Sequence, residues 1–385
     1  MSKKKGVAIL GSTGSIGIQA IESIAAYPDY FDVQILTAYR NADLLIQQAL
    51  KLQPNTVVIV DESQYKKVSE ALWDADIHVY AGTEAMSQVL DSGEVEFVLN
   101  AITGFAGIAP TIDAIRAKKQ IALANKESLT VAGELVTKLA QENGVNIYPI
   151  NSKQSSIFQC IVGEFHNKIE KIILTTQGGP FQNLDRGQLQ KISKKELLEY
   201  SKPFLNIKRG IDLASMMSAG FDIIEASWLF NLRPNQIELL THKQSIIDGL
   251  VQFEDGSTKA QMALPDMKLP IQFALTYPER FKSDFRNFNF LDYPELSFEQ
   301  PNPALLQNIE LAFYALQKGG TTACVLNAAN DVAVDAFLNH KISFSEISKL
   351  NNDIVRSAEI IKNPVYEDLL TTDQKTRQTV LNLLS

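Results

Sequence analysis

The chain has 385 residues, of which 45% are hydrophobic and 21% are charged, and its net charge is −8. These values indicate a globular protein of two or three domains and argue against broad binding to nucleic acid or anionic membranes. No apolar run is long enough to span a bilayer, and the N-terminal MSKKKG lacks the apolar segment of a signal peptide. The two cysteines, Cys160 and Cys324, make no disulfide framework, so we expect a cytoplasmic protein with buried thiols.

The first motif is a glycine-rich turn between a predicted strand and a predicted helix. Residues 7–10 are apolar, Gly11, Gly14 and Gly17 follow at even spacing, and apolar residues then recur at helical spacing. Glycines let the backbone approach a pyrophosphate, whose charge the first-turn amides and the helix dipole stabilise. The alternative is a tight turn in a nucleotide-free α/β protein, because the spacing is not the commoner G-x-G-x-x-G. The expected cofactor contacts in this turn are Gly11, Ser12, Thr13, Gly14, Ser15 and Ile16.

Residues 1–150 alternate short apolar runs with helical patterns. This alternation predicts an α/β, Rossmann-like domain with a doubly wound parallel sheet. The predicted strands are residues 7–10, 33–38, 57–60, 78–80, 97–102, 120–124 and 145–150. The clearest helical patterns between them cover residues 42–52 and 63–72.

The turn after the second predicted strand carries Arg40 and Asn41. A dinucleotide fold places the adenosine ribose there, where an acidic residue suits a free 2′-hydroxyl and an arginine suits a 2′-phosphate. Arg40 therefore favours NADP(H) over NAD(H), with Asn41 as a neighbouring contact. The alternative is a solvated arginine on a surface loop.

Two further loops follow strands that are expected to border the same crevice. They are residues 101–107 and residues 123–128, and polar groups at the carboxyl ends of parallel strands are candidates for ligand contact. We expect Ala101, Asn125 and Glu127 to contact the cofactor, and Lys126 to meet a substrate oxygen or the nicotinamide. For Asn125, the capping of a helix is an equally good interpretation.

The second half of the chain has a different pattern. Strands at residues 170–176, 237–240, 246–253 and 259–263, with a long helix over residues 212–230, predict an α+β domain with a mixed sheet. Ser193 and Glu196 predict a capping box at the start of a short helix. We divide the chain into a nucleotide domain at 1–150, a catalytic domain at 151–283, a linker at 284–303 and a helical domain at 304–385.

Eight blocks in this order resemble the 1-deoxy-D-xylulose 5-phosphate reductoisomerase family. The blocks are GSTGSIG at 11–17, AITGFAG at 101–107, LANKESL at 123–129, SSIFQC at 155–160, GGPF at 178–181, GFDIIEASWLF at 220–230, DGSTKAQMALPDMKLPI at 255–271 and VLNAANDVAVDAFL at 325–338. The resemblance covers nearly the whole chain. It implies an NADPH-dependent oxidoreductase of isoprenoid biosynthesis that forms a homodimer.

The chain departs from the family at the metal ligands. The family motif D-S-E-H-S, whose Asp and Glu bind magnesium or manganese, reads N-S-K-Q-S at 151–155. Asn151 and Lys153 thus replace two carboxylates, and the third family ligand, a glutamate, is Asp222. Because a hard divalent cation needs anionic oxygen ligands, we do not expect a divalent metal cofactor.

The substrate-phosphate motifs depart as well. The family's serine before the double glycine is Gln177, its Asn-Lys pair is Ser218-Ala219, and its flap appears at 202–206 without histidine or tryptophan. Lys208 is the basic residue that remains in this region, and it either binds an anionic group or lies solvated on a loop. The expected substrate contacts are Ser152, Gln154, Gln177, Lys208 and Ser218.

These losses suggest how catalysis could proceed without the metal. The ammonium group of Lys153 could polarise the carbonyl, with Asp222 paired to it and Lys126 orienting the substrate. The alternative for Lys153 is a salt bridge to Asp222 that fills an abandoned metal site. We expect an NADP-dependent paralogue that acts on a different small polar carbonyl or hydroxy compound. The alternatives are a true reductoisomerase and a catalytically inert NADPH-binding protein.

Overall fold

The computed structural model describes residues 4–179, 181–201 and 207–384. The chain forms two compact units. The first unit consists of Met1–Ser128, Val136–Ser155 and Asp266–Arg286, and the second of Leu129–Leu135, Ser156–Pro265 and Asn287–Ser385. A segment late in the chain therefore belongs to the first unit, and the sequence-based division at 150, 283 and 303 stays a prediction.

The helices and strands have the following bounds. The strands are β1 Lys5–Leu10, β2 Phe31–Ala38, β3 Thr56–Ile59, β4 His78–Ala81, β5 Phe97–Asn100, β6 Gln120–Leu123, β7 Ile147–Pro149, β8 Ile169–Thr176, β9 Ile237–Thr241, β10 Ile247–Phe253 and β11 Thr258–Met262. The helices are α1 Ser15–Ala25, α2 Ala42–Leu52, α3 Tyr65–Ala71, α4 Thr83–Gln88, α5 Ile108–Arg116, α6 Glu127–Thr130, α7 Gly133–Asn143, α8 Ser152–Ile161, α9 Arg186–Gln190, α10 Lys194–Ser201, α11 Ile207–Ala214, α12 Met217–Leu229, α13 Lys268–Thr276, α14 Gln307–Lys318, α15 Thr322–Leu338, α16 Phe344–Ser357 and α17 Tyr366–Leu383.

The first unit contains a parallel sheet in the order β4-β3-β2-β1-β5-β6-β7. This confirms the doubly wound α/β fold. Strands buried on both faces favour apolar residues, which is why residues 7–10 of β1 and 97–99 of β5 form continuous apolar runs in the sequence. The strand order reverses between β1 and β5, and ligands of open α/β sheets bind beyond the carboxyl ends of the strands at such a point.

The second unit contains a mixed sheet in the order β11-β10-β8-β9. β8 and β9 are parallel, whereas β10 pairs antiparallel with both β8 and β11, which confirms the predicted α+β arrangement. The β10–β11 turn uses Gly256 with φ of 85°, as the Asp255-Gly256 pair predicts. The predicted capping box is present, because Ser193 Oγ accepts from the Glu196 amide and the Glu196 carboxylate accepts from the Ser193 amide.

The long helix predicted over residues 212–230 is wrong in one respect. The helix is interrupted between α11 and α12, where Met216 adopts a φ of 61°. A buried methionine in the left-handed region is costly and is maintained by the packing around it, which hydrophobic periodicity does not reveal. Ser215 therefore lies outside both helices, while Ser218 and Asp222 remain one turn apart on α12.

The C-terminal part is helical, as predicted. Gly319, with φ of 68°, ends α14, and α16 and α17 each pack against α15. Burial raises the pKa of Cys160 to about 11 and also raises the pKa of Cys324, so both buried thiols are structural. No helix in the described part of the chain is long and apolar enough to cross a membrane.

Candidate active-site loops

The glycine turn follows β1 at the switch point of the first unit. Gly11 has φ of 79°, and a Cβ there would lie 3.0 Å from the carbonyl oxygen of Ala101. On α1, a Cβ at Gly17 would lie 2.4 Å from the carbonyl oxygen of Gly11. Gly14 precedes α1 with no side-chain capping bond, so the first-turn amides and the helix dipole offer an anion site. The expected contacts Thr13, Gly14, Ser15 and Ile16 are all half-buried or exposed.

Ser12 differs from the other residues of the turn because its side chain is fully buried. Its hydroxyl donates to Gln48 Oε1 at 2.7 Å, and Gln48 Nε2 donates back to the Ser12 carbonyl oxygen at 2.9 Å. Thr37 Oγ1 accepts from the Gly11 amide at 3.0 Å. Gln48 and Thr37, which sequence reasoning missed, thus fix the shape of the turn together with Ser12.

Two buried asparagines shape the second loop, residues 101–107. Asn100 Oδ1 accepts from the Ile102 amide at 3.1 Å, and its Nδ2 donates to the Gly107 carbonyl oxygen at 2.8 Å. Asn125 Nδ2 donates to the carbonyl oxygens of Ile102 and Gly104 at 2.8 and 2.9 Å. Sequence reasoning missed Asn100 because it counted this residue within a strand, although an asparagine at the end of an apolar run is a recognisable signal.

Asn125 also caps the short helix α6. Its Oδ1 accepts from the Ser128 amide at 2.8 Å and from the Ser128 hydroxyl at 2.6 Å. Asn125 thus caps a helix, which is one of the two interpretations of the sequence, and its contact with the cofactor stays a prediction. The same side-chain amide joins the loop after β5 to the loop after β6. Lys126 and Glu127 follow it at the carboxyl end of β6, both half-buried, and the Glu127 carboxylate accepts from Asn125 Nδ2 at 3.0 Å.

Arg40 and Asn41 lie exposed in the turn after β2. The Arg40 guanidinium carbon lies 5.1 Å from the centroid of the Tyr39 ring, a cation–π arrangement that keeps the charge at the surface. Asn41 Oδ1 accepts from the Leu44 amide at 3.3 Å and caps α2. In this fold the position after β2 is the one that binds the adenosine ribose. The contact of Arg40 and Asn41 with NADP(H) stays a prediction.

The altered N-S-K-Q-S motif lies at the start of α8. Asn151 Oδ1 accepts from the Lys153 amide at 3.4 Å, and the Asn151 carbonyl oxygen accepts from the Ser155 amide at 2.8 Å. Ser152 and Lys153 are half-buried, whereas Gln154 is fully buried. The motif thus begins a helix, and Gln154 faces the protein interior, where direct contact with a substrate would require movement.

The substrate contacts expected in the second unit lie on different elements. Gln177 is exposed just after β8, and Gly178 and Gly179 follow with φ of 75° and 60°. Ser218 is half-buried on α12, and the Asp222 carboxylate one turn later is buried. The pairing of Asp222 with Lys153 stays a prediction, and the flap at 202–206 lies outside the described residues.

Lys208 lies on a helix rather than on a loop, and its partly exposed ammonium group is paired with two carboxylates. Its Nζ lies 2.7 Å from an Asp212 carboxylate oxygen and 3.0 Å from an Asp331 carboxylate oxygen. Although burial opposes the charge, these two carboxylates raise the pKa of Lys208 well above its ordinary value. Asn330 Nδ2 donates to Asp212 at 2.8 Å, and Arg377 donates to Asp331 at 2.7 Å. The cation is therefore engaged within the protein.

Comparison with known proteins identifies the family. The family model described as 1-deoxy-D-xylulose 5-phosphate reductoisomerase matches residues 7–133, and the models of its C-terminal domains match residues 147–230 and 262–379. A reductoisomerase of that name from Phocaeicola vulgatus is 48% identical over 99% of this chain and 100% of its own length. The chain belongs to the 1-deoxy-D-xylulose 5-phosphate reductoisomerase family. It is therefore an enzyme of the oxidoreductase class.

Solved structures of the family agree with this assignment. The reductoisomerase from Zymomonas mobilis in complex with NADPH matches with a TM-score of 0.95 and 33% identity over 100% of both chains. A reductoisomerase structure in complex with magnesium matches with a TM-score of 0.91 and 33% identity over 99% of both chains. The expectation that a divalent metal takes no part is therefore wrong, because a relative of this fold and length binds magnesium.

The residues of this chain explain why the sequence led to that error. Among the described residues, no group of three or more His, Cys, Asp or Glu is arranged to hold a metal ion. Magnesium, however, commonly keeps several waters and uses only one or two protein carboxylates. Asp222 carries such a carboxylate and Asn151 an amide oxygen, whereas Lys153 carries no oxygen donor. The replacement of two family carboxylates by Asn151 and Lys153 therefore does not by itself exclude a metal.

Proposed function

We propose that this chain catalyses the NADPH-dependent reductoisomerisation of 1-deoxy-D-xylulose 5-phosphate. Relatives of that name match the chain from end to end, and this supports the alternative of a true reductoisomerase over the paralogue favoured by the motif changes. The observation that supports the proposal most directly is the glycine turn at the β1–β5 switch point, with its neighbouring loop fixed by two buried asparagines.

In this proposal, the turn after β1 binds the pyrophosphate of NADPH. Because Gly11 and Gly14 carry no side chains, the turn packs closely against the backbone of Ala101 and of Gly11, and the amides of the first turn of α1 donate to the phosphate oxygens. Arg40 binds the 2′-phosphate from the turn after β2. The loops that Asn100 and Asn125 fix would carry Ala101, Lys126 and Glu127 to the nicotinamide end of the cofactor.

The second unit supplies two of the substrate contacts in this proposal. Gln177 and Ser218 present an amide and a hydroxyl, which bind hydroxyl groups and phosphate oxygens as neutral hydrogen-bond partners. Lys153 is a candidate hydrogen-bond donor to the oxygen that gains charge during hydride transfer. Asp222 is the carboxylate that would hold a divalent cation, which would supply Lewis-acid polarisation of the substrate carbonyl.

NADPH oxidation with purified protein tests the proposal. The absorbance of NADPH is followed with 1-deoxy-D-xylulose 5-phosphate, with and without magnesium or manganese, while NADPH binding is measured separately. Oxidation that depends on the metal supports a reductoisomerase. Oxidation that persists after chelation would assign carbonyl polarisation to protein groups instead, and Lys153→Ala should then abolish turnover while leaving NADPH affinity nearly unchanged.

A second candidate function is the reduction of a different small polar carbonyl compound. Its support is the pairing of Lys208 with Asp212 and Asp331, which leaves that cation engaged within the protein rather than placed on a phosphate. NADPH binding without oxidation of 1-deoxy-D-xylulose 5-phosphate would favour this candidate. A panel of unphosphorylated hydroxy ketones and hydroxy aldehydes would then separate a redirected oxidoreductase from a protein that only binds NADPH.

A further inference from the structure

An extended segment of the second unit, residues 295–302, crosses the carboxyl end of the β8–β9 pair. We call it the strap. It pairs with the end of β9 in an isolated antiparallel bridge, in which the Thr241 amide donates to the Glu299 carbonyl oxygen at 2.8 Å and the Glu299 amide donates back at 2.9 Å. The Lys243 ammonium lies 2.7 Å from the Glu299 carboxylate. The strap is thus joined to the carboxyl end of β9, and Gln177 follows the carboxyl end of the neighbouring strand β8.

A buried histidine makes the next contact between the strap and the sheet. His242 is fully buried, and its Nε2 faces the Ile246 amide at 3.2 Å, so this nitrogen is the acceptor. Nδ1 then carries the proton and donates to the Ser297 carbonyl oxygen at 2.8 Å. The imidazole also stacks on the Phe298 ring, with centroids 4.7 Å apart. One ring nitrogen and one ring face therefore hold the strap, while the other ring nitrogen fixes the imidazole to the backbone just before β10.

The far end of the strap holds the chain downstream of the double glycine. Asn302 is buried, and its Nδ2 donates to the carbonyl oxygens of Phe181 and Leu184 at 3.1 and 2.8 Å. Gln182 Nε2 donates to the Gln300 carbonyl oxygen at 2.9 Å, and its Oε1 accepts from the Asn302 amide at 3.3 Å. Two reciprocal amide side chains thus fix this end.

Between these two anchors lies the segment Gln177, Gly178 and Gly179, which we call the double-glycine loop. On its upstream side, the Thr176 carbonyl oxygen accepts from the His242 amide at 2.8 Å. The loop then runs close over Thr241, because a Cβ on Gly178 would lie 2.7 Å from the Thr241 methyl group. Two consecutive residues with positive φ give the loop little stability of its own. Its position therefore depends on what holds its ends.

We propose that the strap positions the double-glycine loop for substrate binding, with Asn302 as the positioning residue at its downstream end. The inference rests on the proposed function in one respect, namely that Gln177 contacts the substrate. Asn302 acts on the substrate only through the loop. Its loss should therefore weaken substrate binding and leave the chemical step largely intact.

Asn302→Ser tests this inference. Asn302 Oδ1 accepts from the Ala304 amide at 2.9 Å, and serine can take over this capping role while losing both donors to the loop. We expect KM for the substrate to rise by about tenfold, because two buried carbonyl groups lose their partner, with kcat changed by less than about twofold. Hydrogen exchange of the amides at 181–184 should become faster, and NADPH affinity should be unchanged.

Two further variants make the test decisive. Asn302→Asp keeps the shape of the side chain but places a carboxylate against two carbonyl oxygens. It should therefore raise the KM for the substrate and the exchange rate at 181–184 more than Asn302→Ser does. Asn289→Ser is the matched control, because Asn289 is exposed earlier in the same connecting segment, and neither KM nor exchange at 181–184 should change. Unchanged exchange in Asn302→Ser, or a fall in kcat at constant KM, would overturn the inference. Absence of turnover in the wild-type protein would count against the proposed function alone, and hydrogen exchange would still decide the role of the strap.

Discussion

Lys208 Nζ lies 2.7 Å from an Asp212 carboxylate oxygen one turn later on α11, and the pair continues to Asp331 on α15. Arg377 on α17 closes the network by donating to both Asp331 and Asp373. Five charged side chains thus link α11 to two C-terminal helices. α11 directly precedes the Met216 break and α12, so the network fixes the helix that leads to Ser218 and Asp222.

Replacing the central lysine should destabilise the second unit. Lys208→Met leaves Asp212 and Asp331 facing each other without the cation between them. Removal of one partner of a fully buried pair costs about 3–5 kcal/mol, and exposed pairs contribute about 0–1 kcal/mol. Because Lys208 remains about one-third exposed, we expect a loss of about 2 kcal/mol in the free energy of unfolding, measured by urea denaturation.

Lys67→Met is the matched control for this measurement. Lys67 lies 2.7 Å from an Asp43 carboxylate oxygen, but both side chains are about half or more exposed, so its loss should cost less than about 1 kcal/mol. Equal losses in the two variants would show that the Lys208 network contributes no more than a surface pair. That result would also reopen Lys208 as a ligand for a substrate anion.

The sequence predicted the parts of the fold that local patterns determine. Residues 7–10 and 97–99 are apolar throughout because their strands are buried on both faces, and the glycines at 11–17 mark the turn between strand and helix. The ion pair between Lys208 and Asp331 was not predictable in this way, because the two residues lie far apart in the sequence. Met216 was not predictable either, since its left-handed conformation depends on packing that the sequence alone does not display.

Gly17 should be essential for the shape of the cofactor turn. A methyl group there would lie 2.4 Å from the Gly11 carbonyl oxygen and 2.6 Å from Ser12 Cα, and these backbone atoms cannot turn aside. We expect Gly17→Ala to weaken NADPH binding by at least about tenfold, measured by isothermal titration calorimetry. Gly93→Ala is the control, because no atom lies within 4 Å of a Cβ at Gly93. Unchanged affinity in Gly17→Ala would mean that the turn does not bind the pyrophosphate.

Asn125 should matter through its two donors rather than through its acceptor. Asn125→Asp can retain the bond from the Ser128 amide, but it loses the donors to Ile102 and Gly104 and places a buried charge beside their carbonyl oxygens. A loss of about 2–3 kcal/mol in unfolding free energy is expected, with weaker NADPH binding. The control Asn231→Asp concerns an exposed residue with φ of 51°, which aspartate tolerates. If both variants unfold alike, the link between the two loops has no energetic role.

Arg40 should determine the preference between the two nicotinamide cofactors. Arg40→Ala removes the guanidinium from the turn after β2, so the Kd for NADPH should rise by about tenfold or more while the Kd for NADH changes little. Binding of both cofactors is measured by quenching of protein fluorescence. Arg116→Ala, at the end of α5, removes the same charge elsewhere and should change neither Kd. An equal change in both Kd values for Arg40→Ala would assign Arg40 to general attraction rather than to the 2′-phosphate.

Lys153 should limit the affinity for a divalent cation. Lys153→Glu replaces an ammonium by a carboxylate at a position that carries a metal ligand in the family, so manganese binding should tighten by at least about tenfold. Titration of manganese, followed by electron paramagnetic resonance in the presence of NADPH, measures this without any turnover. Lys66→Glu makes the same change of charge on the exposed surface of α3 and controls for long-range attraction. An identical gain in both variants would show that Lys153 does not face the cation, because only general electrostatics would then connect the two.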